Sequence, residues 1–301
     1  MKQNRLGNSD LCVSEIGLGC MSVGTDETKA VSIIQEALEL GITFFDTADL
    51  YDHGRNEEVL GKAIKHRRSD VIVATKVGNR RQAGKEGWIW DPTKKYILSA
   101  VKESLRRLGT DYIDLYQLHG GTIEDPIEET IEAFEELKKE GLIRYYGISS
   151  IRPNVIREYV QRSGISSLMS QYSMLDRRPE EEVLPQLVEQ GIGLIARGPL
   201  AGGILTSRGA GKAEREYLGY SPEELSEVRQ SLIGLAGDTR TLAQTAIRYV
   251  LNEPGVAVAI PGASSLEQLR SNVTAANTSL SAEERDAIRT ITRANQYTLH
   301  R

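Results

Sequence analysis

Cysteine is scarce in this chain: only Cys12 and Cys20 occur in 301 residues, and neither stands in a paired metal spacing. That argues against a disulfide scaffold and against a cysteine-built metal centre, and fits reduced thiols in a cytosol. Basic charge is not in excess either. Lys and Arg number 37 against 42 Asp and Glu, the formal net charge is −5, and no basic stretch stands out. Nucleic acid and anionic membranes are therefore not expected as partners, which leaves a small molecule. The opening MKQNRLGNSD is polar, and no uncharged run approaches the roughly 20 residues of a membrane helix, so the expectation is a cytoplasmic protein without membrane association. Linkers, low-complexity tracts and heptads are missing as well, so residues 1–301 read as one domain and a monomer.

What is present is an ordinary globular composition, 40% hydrophobic and 26% charged, arranged in a repeating pattern. Short β-branched runs recur at Glu15 to Cys20, Ile42 to Asp46, Val71 to Lys76, Tyr112 to His119, Ile143 to Ser149, Leu168 to Tyr172, Gly193 to Arg197 and Val256 to Pro261. Between them apolar residues fall at helical spacing, as in Val31, Ile34, Ala37, Leu38 and in Val101, Leu105, Leu108. Eight alternating units in a chain of this length predict an α/β fold, a (β/α)8 barrel of the triosephosphate isomerase type; a doubly wound open sheet is the runner-up. Gly41, Gly109, Gly141 and Gly191 read as helix C-caps, and Arg5 to Ser14 as a hairpin under the barrel. The stretch from Ser207 to Gly237 reads as a long irregular loop with patchy helical signals.

Polar residues stand at the ends of neighbouring strands. Asp46 ends the second, Lys76 the third and His119 the fourth, with Tyr51 in the loop after the second. Taken singly, each has a bland explanation: a solvated lysine, a rim histidine, an aspartate capping a turn. Together they fall on the barrel face where active sites lie. A tyrosine hydroxyl, with an ordinary pKa near 10, needs a nearby cation to favour its ionised form, and Lys76 can supply one. Asp46 would hold Lys76 charged, and His119 would hydrogen-bond a carbonyl oxygen or assist the proton relay. No serine or cysteine nucleophile with a partnered histidine is evident, nor a metal-ligand cluster, so an external reductant is the natural complement. A lyase or isomerase using Lys76 as a Schiff-base nucleophile is a weaker reading, since Asp46 would keep the lysine protonated.

The motifs FFDTADLYDHGRNEEVLGKAI, IGLGCMSVG, VIVATKVG, SLRRLGTDYIDLYQLH, KKEGLIRYYGISS, SQYSMLDR, ARGPLAGGILTSR and IPGASSLEQLRSN give the chain a close resemblance to the aldo-keto reductases over essentially its full length. The resemblance implies a barrel with an N-terminal hairpin and extra helices, and NADPH-dependent reduction of small carbonyl substrates. Asp46, Tyr51, Lys76 and His119 would form the catalytic tetrad, with Tyr51 as proton donor and no metal. It further implies cofactor contacts at Gly19, Met21, Asp46, Ser149 and Gln171. Arg197, Gly198, Pro199, Leu200, Gly202 and Arg208 would follow after the seventh strand, and Gly262, Ser264, Gln268 and Asn272 in the eighth unit. Glycine-rich backbone and a helix N-terminus suit phosphate.

Three positions depart from the family pattern. Arg197 replaces an aromatic that stacks on the nicotinamide in many members, and a guanidinium can also stack on a flat ring. Ser150 replaces an asparagine. GASSLEQLRSN lacks the lysine and arginine that often clamp the 2′-phosphate, leaving Ser264, Ser265 and Gln268 as donors and Arg270 as a cation. The serine and glutamine arrangement is similar to that of the potassium-channel β subunits, which bind NADP; NAD(H) stays open as the alternative cofactor. That likeness also sets the rival to an enzyme, an NADP(H)-binding redox-sensing regulatory subunit of low turnover. Trp88, Trp90 and Tyr220 are expected as pocket-lining or rim-packing residues, and the short tail after Arg293 is expected to leave the site open to bulky carbonyls.

Overall fold

Short β-branched runs buried on both faces form the barrel strands, and stretches apolar every third or fourth position form the helices between them. The computed structural model describes residues 1–301 except Ala83 and Lys85. The chain opens with an antiparallel hairpin, β1 (Gln3–Arg5) and β2 (Cys12–Ser14). Then come β3 (Leu18–Gly19), β4 (Phe44–Asp46), β5 (Ile72–Val77), a second small hairpin of β6 (Asn79–Arg80) and β7 (Ile89–Trp90), and β8 (Ile113–Leu118). The series ends with β9 (Ile143–Ser149), β10 (Ser167–Gln171), β11 (Gly193–Arg197) and β12 (Val256–Ile260). Leaving out the two hairpins, the strands pair in parallel in the order β3-β4-β5-β8-β9-β10-β11-β12. Parallel bridges from Ile16 to Ala259 and from Gly19 to Gly262 join the first strand to the last, giving the (β/α)8 barrel that the alternation predicts.

The crossover helices are α1 (Glu27–Glu39), α2 (Arg55–Ile64), α3 (Lys94–Leu108), α4 (Ile127–Lys139), α5 (Pro153–Arg162) and α6 (Val183–Gln190). After β11 the chain makes two helices, α7 (Pro222–Ala236) and α8 (Leu242–Leu251), and after β12 two more, α9 (Leu266–Val273) and α10 (Ala282–Ile291). Gly41, Gly109, Gly141 and Gly191 all stand at helix ends with positive φ, as C-capping requires.

Helix α7 corrects the reading of Ser207 to Gly237 as irregular. Ser221 and Glu224 close a capping box around Pro222, a strong start signal, while only Leu225, Leu232 and Ala236 are buried, so the apolar stripe is thin. The hairpin β6–β7 was not expected at all. Its two-residue strands carry little pattern, and the Trp90 ring packs where a Cβ on Gly78 would come within 2.5 Å and one on Gly120 within 3.3 Å.

Side chains alternate across a strand, which sets the layers of the barrel interior. Phe44, Ala74, Leu115, Met169, Ile195 and Val258 form one buried cluster, plugged from below by Leu6, Leu11 and Val13 of the first hairpin. Two residues further along, on the same face, five of these strands carry Asp46, Lys76, Gln117, Gln171 and Arg197. The inner face is thus apolar at its middle and polar where the strands end.

Candidate active site

Lys76, next to last in β5, is fully buried, and its ammonium lies 2.7 Å from Asp46 Oδ2, 2.7 Å from the Thr47 carbonyl and 3.2 Å from the Tyr51 hydroxyl. Three N–H donors thus meet three acceptors. Tyr51 comes within reach because the chain reverses sharply after it. Asp52, His53 and Gly54 have φ of 45°, 56° and 84°, a left-handed run that turns the loop into α2. The Tyr51 ring lies 4.8 Å from the Lys76 ammonium and meets the His119 ring edge-on at 5.8 Å between centroids. His119 follows β8 and is anchored by its backbone N–H on the Val77 carbonyl, 2.7 Å away. The tetrad read from the strand ends is therefore brought together around one ammonium.

Burial governs the electrostatics. It would pull the Lys76 ammonium down, but Asp46 and Tyr51 outweigh it and leave the pKa raised, so the lysine is charged at neutral pH. Desolvation lifts Asp46 above the usual carboxylate range despite Lys76. His119 falls to about 3, through burial first and then the charges of Lys76 and Arg197, and is a neutral imidazole whose Nδ1 has no protein partner. Tyr51 is pulled both ways: burial raises its pKa more than Lys76 lowers it, so the hydroxyl keeps its proton at neutral pH.

The remaining predicted residues ring this cluster. Gly19 ends β3, and Met21, 69% exposed, stands in the single turn after it. Ser149 ends β9 and Gln171 ends β10, where the Gln171 carboxamide takes a 3.3 Å bond from Arg197 and gives one of 3.1 Å to Tyr217. From Gly198 through Pro199 and Leu200 to Gly203 the backbone runs through repeated left-handed turns, with φ of 66° at Gly198, 47° at Ala201, 65° at Gly202 and 95° at Gly203. Arg229 of α7 fixes the following residues by donating to the carbonyls of Ile204 and Thr206. In the eighth unit the Ser264 backbone N–H and hydroxyl both bond Gln268 Oε1, Ser265 caps α9, and Asn272 holds the Gly262 carbonyl at 3.1 Å. A Cβ on Gly262 would come within 2.7 Å of Ser22 Oγ, so this close approach of two loops admits only glycine. Arg208 is 82% exposed, with Glu267 across the gap at 3.8 Å.

Some expected contributors are engaged elsewhere. Arg270 is bonded to Glu36 of α1 at 2.8 Å and is therefore not free as the phosphate cation. Lys212, which the sequence reading passed over, reaches the Gly202 carbonyl at 2.7 Å and puts a cation beside the glycine loop. Tyr220 is a packing residue: it is buried, accepts from the Arg293 backbone N–H and lies under that guanidinium. Trp90 donates to Asp125 at 2.9 Å on the rim, and Trp88 is exposed. Gln117 was also missed. Alternation in IDLYQLH puts it on one face with Leu115 and His119, and its buried carboxamide has no protein partner. The tail packs over the fifth and sixth units, with Asn295 bonded at Arg177 and Leu175 and the His300 carbonyl at Asn154.

Among the described residues no cluster of His, Cys, Asp and Glu has metal-binding geometry, and no helix is long and apolar enough to cross a membrane. Two clefts, about 420 and 530 Å³, lie under the barrel and beside α4 and α5, away from the strand-end cluster.

Residues 15–293 match the aldo/keto reductase family. The chain is 57% identical to the uncharacterized oxidoreductase YqkF of Bacillus subtilis (strain 168), over 100% of both chains. It is 31% identical to the NADH-specific methylglyoxal reductase of Escherichia coli (strain K12), over 98% of this chain and 99% of that one. The holo form of aldo-keto reductase AKR11C1 from Bacillus halodurans superposes with a TM-score of 0.96 at 58% identity, covering 100% of this chain and 99% of that one. With the barrel and its polar upper layer, these similarities show that the chain belongs to the aldo/keto reductase family and is a nicotinamide-dependent oxidoreductase of small carbonyl compounds.

Proposed function

We propose that the chain reduces aldehydes or ketones to alcohols with NADPH, and that Tyr51 donates the proton. The observation that carries this reading is the ammonium of Lys76, held between Asp46 and the Tyr51 hydroxyl in a buried pocket. When bound, the nicotinamide supplies hydride to the carbonyl carbon. Tyr51, still protonated at neutral pH, gives its proton to the oxygen, and the adjacent ammonium stabilises the tyrosinate left behind. Neutral His119 carries one N–H with which to hold the carbonyl oxygen in line. Asp46 keeps Lys76 charged and aimed.

For the cofactor, Ser149 and Gln171 would hold the carboxamide at the ends of β9 and β10, and Arg197 would lie against the ring. The left-handed backbone from Gly198 to Gly203 would follow the pyrophosphate, with Met21, Arg208 and Lys212 beside it. Gly262, Ser264, Gln268 and Asn272 would take the adenosine end at the N-terminus of α9. The buried polar atoms left without a protein partner at the strand ends, His119 Nδ1 and both ends of the Gln117 carboxamide, support a ligand seated over them. NADPH is favoured because Arg208, across from Glu267 in the first turn of α9, brings a cation to the adenosine end. NADH is the second reading, favoured by the Arg270–Glu36 pair, which removes a cation from the 2′-phosphate region.

The test combines fluorescence titration with NADPH and NADH and turnover of an aldehyde panel by wild type and Tyr51→Phe. We expect tighter binding of NADPH, undiminished cofactor affinity in the variant, and a loss of kcat of about 10²- to 10⁴-fold. Equal turnover by the two proteins would remove Tyr51 from the role, and turnover by neither would favour a cofactor-binding subunit.

A further inference from the structure

We infer that Asn56 is a positioning residue, which fixes the carbonyl of Thr47 as the third acceptor of Lys76 and ties it to the turn after the first barrel strand. The inference rests on the reading of Lys76 and Tyr51 as the proton-donating pair. Asn56 is the second residue of α2, is 6% exposed, and uses both ends of its amide. Its Oδ1 accepts from the Thr47 hydroxyl at 2.7 Å, and its Nδ2 donates to the Cys20 carbonyl at 2.8 Å. The orientation is forced: a carbonyl can only accept, so the NH2 must face Cys20 and leave the oxygen for Thr47.

Thr47 is therefore gripped twice, through its hydroxyl by Asn56 and through its backbone N–H by the Ala74 carbonyl at 2.9 Å. What remains is its own carbonyl, 2.7 Å from Lys76 Nζ. The ammonium has three hydrogens, and with Asp46 and Thr47 taking two, the third is directed at Tyr51. Release of Thr47 would free a buried N–H and let the ammonium turn away from the tyrosine. On its other side Asn56 holds Cys20, the first residue of the turn that bears Met21 and Ser22, and Ser22 Oγ accepts from the Ala263 backbone N–H at 2.8 Å. The bonds thus run unbroken from the eighth-unit loop to the lysine. A contiguous network is a route for coupling only if its members change together, which mutation can measure.

The charged and titratable groups facing the Tyr51 hydroxyl are Lys76 on β5, Asp46 on β4, His119 after β8 and Arg197 on β11. Alcohol oxidation is the informative direction, because Tyr51 must then be ionised to accept the proton. In Thr47→Val, which loses the hydroxyl at nearly constant shape, we expect kcat to fall on the order of 10-fold to 100-fold. The rise of oxidation with pH should move upward by about one unit as Lys76 withdraws, with the KM of the alcohol and the Kd of NADPH unchanged. Thr47→Ser should restore the wild-type profile. Asn56→Ala should reproduce the Thr47→Val profile and also weaken NADPH, through Cys20.

Lys76→Met and Tyr51→Phe run in the same pH series separate the two levels. If neither moves the profile, the proton-donor reading fails. If they move it while Thr47→Val and Asn56→Ala only lower Tm, or if Thr47→Ser is as impaired as Thr47→Val, the positioning role fails alone. Should Asn56→Ala not fold, the Thr47 pair decides the positioning role.

Discussion

Replacing Lys76 by methionine keeps the length of the buried stem but removes the ammonium, which turns the site into a test of what holds Asp46. The lysine is one of the largest fully buried side chains, and Asp46 Oδ2 is 2.7 Å from its nitrogen, while Asp46 Oδ1 has no hydrogen-bond partner. Without Lys76 the carboxylate would be buried and unpaired, a loss that costs about 3–5 kcal/mol in comparable pairs. Protonation caps that cost. A carboxyl with an unfolded pKa of about 3.9 can be carried neutral at pH 7 for roughly 1.4 kcal/mol per unit, or about 4 kcal/mol, and at pH 5 for about 1.5 kcal/mol. Part of this is already present in the wild type, where burial lifts Asp46 above its ordinary range, so both figures are upper bounds.

The sign follows from proton counting. In the variant the folded state binds a proton on Asp46 that the unfolded state has released, so its stability is greatest below the unfolded carboxyl pKa of about 3.9 and is lost as pH rises from there to the raised folded pKa of the variant, and the gap to wild type opens above the wild-type folded pKa of Asp46. Urea or thermal unfolding of wild type and Lys76→Met between pH 5 and 8 should therefore show a stability gap that widens with pH. Adding Asp46→Asn to Lys76→Met should flatten it. A gap constant in pH, or wider in acid, would refute the claim that the Lys76 ammonium offsets burial in favour of the charged form of Asp46.

Two further outcomes follow from the same electrostatics. His119, held near 3 by burial and two cations, should show no imidazole titration by NMR between pH 5 and 8. Because the unfolded histidine binds its proton near 6.5, His119 should contribute stability above that pH and lose it progressively toward pH 3; titration near 6.5 in the folded protein would overturn this. Behind the site, Glu57 is fully buried between Arg107 and Thr75, 2.6 Å from each. Glu57→Gln should cost about 3 kcal/mol, the low end for a broken buried pair because Arg107 keeps some solvent. Chemical denaturation checks it, and a loss below about 1 kcal/mol would mean that the arginine is solvated in the native state.

The barrel was legible because its signals are local. Eight short β-branched runs and the glycines ending the helices each speak for themselves, and all eight strands occur, though the first shrinks to Leu18–Gly19 with Ile16 held only by a bridge. Helix α7 was half legible: its capping box is written in four consecutive residues, but its thin apolar stripe gave no period to follow. The second hairpin was illegible, since its strands are set by a tryptophan lying over glycines from two separate loops.

The site divides along the same line. Asp46, Lys76 and His119 could be read because strand ends and side-chain parity fix their direction before any tertiary contact is known. The same parity puts Gln117 on the face of Leu115 and His119, so its place is legible in the sequence as well. Arg270, Thr47 and Asn56 differ, because their meaning lies in partners distant in sequence: Glu36 is 234 residues from Arg270, and Cys20 is 36 from Asn56. A lone cation on α9 invites assignment to a phosphate until the carboxylate that takes it is seen. A buried asparagine two residues past a glycine looks like a helix cap until its amide is found bridging two loops. Strand-end chemistry therefore reaches the sequence as pattern, whereas the bonds of Arg270 to Glu36 and of Asn56 to Cys20 are long-range polar pairs that leave no periodic trace.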